Sequence, residues 1–228
     1  MKKKILICIA HSDDETIGCA GAILNHIKNK DEVYAIFMTD GISSRNLKQK
    51  KKLISKRKSY SFLASEILGF KWLYRYCGNF PDNALDKVPF IKIVKKIERV
   101  KKKIKPDIIY THNPGDLNID HRLVSEATLT AFRPMANEKW QKIIAIEIPS
   151  STDYAYAIEK NKFNPNLFLN IFPYWKKKQQ ALLAYKKEIK NYPNSRSIKG
   201  IKFLASLRGA QSGLKMAEAF QVLREIKR

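Results

Sequence analysis

Residues 5–24, ILICIAHSDDETIGCAGAIL, decide how this chain folds. An apolar run at 5–10 ends at a histidine and three acidic residues, and a segment of small residues with helical spacing follows. A short apolar run bounded by polar residues is typical of a buried strand. The sequence therefore predicts a strand whose carboxyl end carries one imidazole and three carboxylates, directly before a helix.

Similar apolar runs recur along the chain and alternate with helical patterns. The runs cover 33–39, 107–110 and 142–148, and the helical patterns cover 17–27, 53–68, 91–104 and 124–132. Such alternation favours a parallel sheet covered on both faces. We therefore predict an α/β fold with a Rossmann-like, mostly parallel sheet flanked by helices. Ligands of such sheets bind beyond the carboxyl ends of the strands, so the loops after Ala10, Thr39 and Tyr110 are the candidate site.

The chain beyond residue 150 has a different pattern. It predicts one more strand at 167–172 and helices at 174–191, 198–207 and 217–226. No stretch rich in Pro, Gly or Ser separates this part, and 228 residues suit one domain with a full hydrophobic core. We expect residues 1–228 to form a single domain with a C-terminal helical elaboration.

Composition limits the classes of protein to which the chain can belong. The formal net charge is +23, and such a charge attracts polyanions and phosphorylated substrates. The interpretation that we favour is that lysine is simply an abundant surface residue here, because lysines are spread over the whole chain. The aromatic residues mostly occupy periodic apolar positions, and no nucleic-acid-binding module is recognisable. We expect no specific nucleic-acid partner.

The sequence gives no sign of export or of a membrane span. No apolar run approaches the roughly 20 residues that cross a bilayer, and the apolar part of MKKKILICIA is too short for a signal peptide. The three cysteines have no CxxC spacing and are typical of buried, reduced thiols. We expect a cytoplasmic protein without a transmembrane segment.

Two loops carry the residues that suggest chemistry. HSDDE at 11–15 follows the first strand, and THNPGDLNIDH at 111–121 follows the strand at 107–110. Imidazole nitrogens together with carboxylate oxygens are the ligand set of a catalytic zinc. Taken singly, the acidic cluster can complement a helix dipole, and Asp120-His121 can begin a helix as its cap. Their placement after two parallel strands favours a metal site.

These loops resemble motifs of the PIG-L/LmbE-like zinc-dependent N-deacetylases, in the branch found in sugar and polysaccharide biosynthesis. That family carries HPDDE after the first strand and a later histidine that follows an aspartate; this chain has AHSDDE, with Ser12 in place of the proline. The likeness spans nearly the whole chain and includes MTDG at 38–41, FPDNALD at 80–86, EIPSST at 147–152, AYKKEI at 184–189, LRG at 207–209 and AEAF at 217–220.

The resemblance implies a role for each residue of the two motifs. His11, Asp14 and His121 would bind the metal, which is Zn²⁺ or Fe²⁺ because two histidines and one aspartate suit either ion. Asp13 would be the general base, and its position agrees, because Asp14 and His11 can face one ion across a tight turn while Asp13 stays free. Asp120 would orient a catalytic or ligating group.

The chain departs from the family three residues before His121, where many relatives have a histidine and this chain has Asn118. An amide can donate to an oxyanion but cannot protonate the leaving amine. Either His112 or Asp116 takes over that role near the substrate, or Asp13 performs both proton transfers. His112 can equally be a strand-end residue that is bonded to the backbone.

Arg57 aligns with an arginine that contacts the substrate in relatives. A planar guanidinium suits a phosphate or a carboxylate, so we expect Arg57 to bind substrate. Within Lys56-Arg57-Lys58 it can equally belong to a solvated basic face.

The resemblance implies a hydrolase that removes the acetyl group from an N-acetylated sugar of the N-acetylglucosamine type. A nucleotide- or lipid-linked sugar would suit the basic charge, and a homo-oligomer is compatible with the family, in which several members assemble. One alternative is a catalytically impaired relative that binds metal and sugar; Asn118 allows this interpretation, but the intact Asp13 disfavours it. The other alternative is a basic nucleic-acid-binding protein.

Overall fold

A seven-stranded sheet forms the centre of the structure, a computed structural model that describes residues 2–44, 50–155 and 162–227. The strands are β1 Lys4–Ile9, β2 Glu32–Phe37, β3 Lys71–Trp72, β4 Ile108–His112, β5 Lys142–Ile146, β6 Leu167–Asn170 and β7 Ala217–Glu225. Their spatial order is β3-β2-β1-β4-β5-β7-β6. Strands β1 to β5 pair in parallel, and β7 runs antiparallel to both of its neighbours. The predicted α/β fold with a mostly parallel sheet is confirmed.

Helices cover both faces of this sheet. They are α1 Asp14–Gly18, α2 Ala20–Lys28, α3 Lys50–Leu68, α4 Phe90–Ile104, α5 Ile119–Ala131, α6 Trp175–Ala184 and α7 Ile198–Ala210. Because side chains alternate along a strand, Ile5, Ile7 and Ile9 of β1 pack on one face, against α1, α2, α6 and α7. Leu6 and Cys8 pack on the other face, against α4 and α5. The continuous apolar run of β1 is therefore what a strand buried on both faces requires.

Strand β1 lies where the order of the strands reverses. The chain proceeds from β1 to β2 and β3 on one side, and then returns to place β4 on the other side of β1. The loops that leave β1 and β4 therefore start side by side and diverge, and a crevice remains between them. Ligands of open α/β sheets bind at this position.

The C-terminal part is less helical than expected. The helix predicted at 217–226 is wrong, because Ala217–Glu225 forms β7 between β5 and β6. Alanine and glutamate favour helices, but pairing with a strand on each side outweighs this local preference. The helix predicted at 17–27 is interrupted at Cys19, whose φ of −147° is not helical, and so forms α1 and α2. The one predicted at 174–191 ends earlier, with α6 at Ala184.

Two chemical features are absent from the part of the chain that the structure describes. Its three cysteines are buried and form no disulfide, as expected from their spacing. None of its helices is both long enough and apolar enough to cross a membrane.

A buried ion pair connects β7 to the first helices. The Nζ atom of Lys178 lies 2.7 Å from Oε1 of Glu218, and both side chains are buried. Lys178 also donates to the carbonyl oxygen of Ile17 at 2.7 Å. The carboxylate of Glu218 accepts the backbone N–H groups of Gly21 and Ala22, at 2.8 and 2.9 Å. Glu218 therefore stabilises the amino end of α2, where a negative charge is favourable.

Glu218→Gln is expected to lower the free energy of unfolding by about 3–5 kcal/mol, because it leaves the Lys178 ammonium buried without a counter-charge. Urea unfolding of the purified variant measures the loss. In the pair of half-buried Lys142 and exposed Glu225, the matched change Glu225→Gln is expected to cost less than about 1 kcal/mol. The double variant Lys178→Met/Glu218→Gln is expected to recover part of the loss. Equal losses for Glu218→Gln and Glu225→Gln would contradict this interpretation.

Candidate active site

The loops after β1 and β4 bring three predicted metal ligands together. Nδ1 of His11 lies 3.2 Å from Nε2 of His121 and 3.3 Å from Oδ2 of Asp14. Nε2 of His121 lies 3.5 Å from the same oxygen of Asp14. All three side chains are buried. Two nitrogens and one oxygen thus form a compact triangle, although 110 positions separate the two histidines in the chain.

The dimensions of this triangle fit a tetrahedral metal site. Zinc bonds of about 2.0–2.1 Å at tetrahedral angles place neighbouring ligand atoms roughly 3.3–3.4 Å apart. The three separations, 3.2, 3.3 and 3.5 Å, lie around this value. Three protein ligands leave a fourth position for water or substrate, as in catalytic zinc sites. The donor set therefore fits a divalent ion.

Two other groups of side chains in the described part of the chain are close enough to share an ion. They are His112, Asp116 and His121, and His11, Asp82 and Asp120. Nε2 of His112 already accepts the backbone N–H of Ala10 at 2.8 Å. Asp120 accepts the backbone N–H groups of Asn83 and Leu85, at 2.7 and 3.0 Å. Nδ1 of His112 has no hydrogen-bond partner in the described part of the chain, but it lies 4.0 Å from Oδ2 of Asp116, farther apart than any two donor atoms of the triangle. Because of this longer separation and the existing partners of Asp120, we favour the triangle of His11, Asp14 and His121.

A carboxylate holds the other ring nitrogen of each histidine in the triangle. Oδ2 of Asp116 lies 2.9 Å from Nδ1 of His121. Oδ2 of Asp120 lies 3.1 Å from Nε2 of His11, and Oδ1 of Asp82 lies 3.2 Å from the same nitrogen. Such carboxylates fix the tautomer and the orientation of metal-binding imidazoles. The ring that Asp120 contacts is thus that of His11, on the other loop, and not that of the adjacent His121.

His112 and Asp116, which we expected to face the substrate, lie behind the triangle. Neither has any exposed surface. The ring of His112 stacks on that of His121 with 3.8 Å between the centroids. Burial, reinforced by His121, lowers the pKa of His112 to about 3, so the ring is neutral. The expectation of substrate contact is therefore corrected: His112 is bonded to the backbone, and Asp116 supports His121.

Asp13 lies next to the triangle in a strained backbone conformation. Its φ of 119° is a value that L-residues rarely adopt. The Asp13 N–H donates to Oε2 of Glu15 at 2.9 Å, and the hydroxyl of Tyr185 donates to Oε1 of Glu15 at 2.7 Å. Glu15 and Tyr185 are fully buried. This pair therefore holds the turn that presents Asp13.

Two arginines hold the carboxylate of Asp13. Nη2 of Arg57 lies 3.1 Å from Oδ1, and Nη2 of Arg196 lies 2.7 Å from Oδ2. Arg57 is buried and donates from Nε to the hydroxyl of Ser12 at 2.9 Å, so it belongs to the site and not to a solvated basic face. Burial raises the pKa of Asp13 despite the two guanidinium groups. Arg196 was not predicted, since it lies in a loop after α6 without a recognisable motif.

A polar cleft with a volume of about 150 Å³ opens at these residues. His11, Asp13, Arg57, Arg196 and Asn118 contribute to its lining. Asn118 caps α5, since its Oδ1 accepts the N–H of Asp120 at 2.9 Å. Its Nδ2 donates to Oδ1 of Asn83 at 2.9 Å. A side-chain amide has two N–H groups, so one of them can still donate to a ligand in the cleft.

A family model matches more than half of the chain. The family model described as "PIG-L: GlcNAc-PI de-N-acetylase" matches residues 6–132, which is more than half of the chain and includes both loops of the site. A search of the curated proteins gives no significant match.

Several solved structures have a similar fold. N,N'-diacetylchitobiose deacetylase from Pyrococcus horikoshii is 19% identical, with a TM-score of 0.77 over 97% of this chain and 84% of that chain. The 4-carboxy-2-hydroxymuconate hydratase from Pseudomonas putida KT2440 is also 19% identical, with a TM-score of 0.74 over 100% and 98% of the two chains. The zinc-inhibited form of a teicoplanin deacetylase is 11% identical, with a TM-score of 0.75 over 96% and 97%. At these identities the likeness shows the fold alone, and the fold serves more than one reaction.

Proposed function

Since the chain belongs to the PIG-L family, we propose that it is a metal-dependent hydrolase that removes the acetyl group from an N-acetylated sugar of the N-acetylglucosamine type. The observation that carries the proposal is the triangle of His11, Asp14 and His121 beside Asp13, at the edge of a polar cleft. The description of the family and the names of two structures with this fold, both deacetylases, support the choice of reaction.

His11, Asp14 and His121 would hold the ion, for which zinc and Fe²⁺ are both suitable. When bound, such an ion would allow water to lose a proton near neutral pH and would polarise the amide carbonyl of the substrate. Asp116 and Asp120 would keep the two imidazoles in the orientation that the ligand set requires.

Asp13 would accept the proton of the attacking water, whose oxygen forms the new bond to the acetyl carbon. The carbon–nitrogen bond then breaks, and the departing amine takes a proton while acetate is released. Since His112 and Asp116 are enclosed behind His121, neither can reach this amine, so we assign both proton transfers to Asp13. The remaining N–H of the Asn118 side chain would stabilise the oxyanion.

The two arginines would have different roles. The guanidinium of Arg57 is engaged by Ser12, Asp13 and Glu188, so we propose that it positions Asp13, in addition to bordering the cleft. The Arg196 side chain is 25% exposed and would be the better contact for a phosphate on the carrier of the sugar. A nucleotide- or lipid-linked N-acetylated sugar would therefore suit this cleft.

Activity with and without a chelator tests the proposal. The purified protein is loaded with Zn²⁺ or Fe²⁺ and incubated with N-acetylglucosamine, diacetylchitobiose and UDP-N-acetylglucosamine, and the released amine is measured. We expect release from at least one sugar, its loss after chelation, and its recovery when the ion is restored. No amine from any N-acetylated sugar, with hydration of an unsaturated carboxylic acid instead, would contradict the proposal.

Asp116→Asn is expected to weaken metal binding roughly 10–100-fold, because the amide can no longer fix the tautomer of His121 as a carboxylate does. Titration of the metal-free protein with zinc in the presence of a competing chelator measures the affinity. Asp31→Asn is the matched control, since Asp31 also pairs with a histidine, His26, through a 2.7 Å contact outside the site. Zinc affinity that is the same in the two variants would argue against the role of Asp116.

A further inference from the structure

A second cavity lies at the opposite end of the sheet from the candidate active site. Its walls come from the end of α4 and from the loop between α5 and β5. These segments precede β4 and β5, whereas the active-site loops follow β1 and β4. The volume of about 300 Å³ is at the lower end of the range for small-molecule sites. The cavity shares no lining residue with the cleft.

The rim of this cavity is positively charged. Lys102, Lys105 and Lys139 line it, all three are exposed, and none forms an ion pair with a described residue. Lys101 also lines the cavity, but Glu138 neutralises it. Three uncompensated ammonium groups around one concave surface attract an anion, and lysine is a common phosphate ligand.

The floor of the cavity is apolar. Phe132 and Trp140 are buried and meet edge to face, with 6.4 Å between their ring centroids. Met135 is 56% exposed and presents apolar surface beside these rings. An occupant with an apolar body would cover Met135.

We propose that this cavity binds a phosphorylated amphiphile, with the phosphate between Lys102, Lys105 and Lys139 and the apolar part over Met135. A nucleic-acid backbone would use the lysines but not the apolar floor, so the combination favours an amphiphile. Lys3 and Lys227 line another cavity at the same end of the sheet, where Glu225 pairs with Lys142. The proposal is independent of the hydrolase function, because it concerns other residues and is tested by binding alone.

The ligand chemistry can come from a bilayer lipid or from a soluble phosphate ester, and two probes separate these sources. One is sedimentation with phosphatidylcholine vesicles, with or without phosphatidylglycerol. The other is calorimetric titration with dihexanoyl phosphatidic acid below its micelle concentration. Binding to vesicles alone assigns the site to a membrane lipid, and binding of the soluble probe assigns it to a free ester; either result supports the proposal.

Three variants test which residues bind the probe. Lys102→Gln/Lys105→Gln/Lys139→Gln is expected to weaken binding on the order of 100-fold, from about fivefold for each surface lysine. The control Lys176→Gln/Lys177→Gln/Lys202→Gln removes three exposed charges elsewhere, and we expect only a small loss. Met135→Gln is expected to weaken binding of dihexanoyl phosphatidic acid but not of inorganic phosphate.

Three outcomes would overturn the proposal. The first is a wild-type protein that binds neither probe. The second is an equal loss of binding in the two triple variants, since net charge alone would then explain the attraction. The third combines two results: Met135→Gln leaves the affinity for dihexanoyl phosphatidic acid unchanged, and the triple variant of Lys102, Lys105 and Lys139 loses lipid binding and single-stranded DNA binding equally. This combination would indicate general attraction of polyanions.

Discussion

Asp13→Asn is expected to lower kcat about 10³-fold, within the range that a positioned general acid–base group contributes. The asparagine side chain is nearly the same size and can still contact Arg57 and Arg196, but it cannot accept the proton of the attacking water. His11, Asp14 and His121 are unchanged, so metal content is expected to stay at the wild-type level. Amine release from the best substrate of the panel and the zinc content of the same preparation are the two measurements.

A comparison with Glu188→Gln separates proton transfer from a general change in charge. Glu188 also lines the cleft, and its Oε1 lies 2.7 Å from Nη1 of Arg57, which in turn contacts Asp13. We expect a much smaller loss of kcat for this variant. Because Asp13→Asn also removes the charge that faces two guanidinium groups, its thermal unfolding is recorded as well. A folded, zinc-loaded Asp13→Asn protein with nearly normal kcat would contradict the assignment of Asp13 as the base.

His121→Ala is expected to abolish both metal binding and activity. Removal of a ligand should weaken zinc affinity by more than the roughly 10–100-fold expected when only an orienting carboxylate is lost. Zinc is expected to raise the Tm of the wild-type protein, because an ion that binds only the folded state stabilises it, and to leave the Tm of the variant unchanged. Differential scanning calorimetry with and without zinc measures this difference.

His112→Gln and Asp14→Asn decide between the triangle and the alternative group that contains His112. If the triangle holds the ion, Asp14→Asn weakens zinc binding strongly because it changes a ligand. His112→Gln then has a smaller effect, because it changes only the packing against His121. The reverse order would move the ion to His112, Asp116 and His121. Since His112 is fully buried, the folded fraction of each variant is measured before the affinities are compared.

The sequence predicted the parts of the site that depend on strand ends. An apolar run that stops at His11 and another that stops near His112 place their loops at the same edge of a parallel sheet, and this placement does not depend on side-chain detail. The sequence did not predict which ring Asp120 contacts, because that depends on how α5 leaves the sheet. Arg196 was missed because its contact with Asp13 spans 183 positions. The strand β7 was also not predicted. Its residues favour a helix, and the sequence does not indicate that they insert between β5 and β6.

The left-handed backbone conformation of Asp13 lowers the stability of the fold. The proposed reaction nevertheless requires a carboxylate at this position. A conformation of this kind costs on the order of 1–3 kcal/mol for a residue with a side chain, and glycine would relieve most of it. A glycine, however, would leave the proposed reaction without its proton acceptor. Directed evolution that selects only for heat resistance is therefore expected to find mutations at this turn that abolish the proposed activity. Such a trade-off between stability and activity is common at active sites.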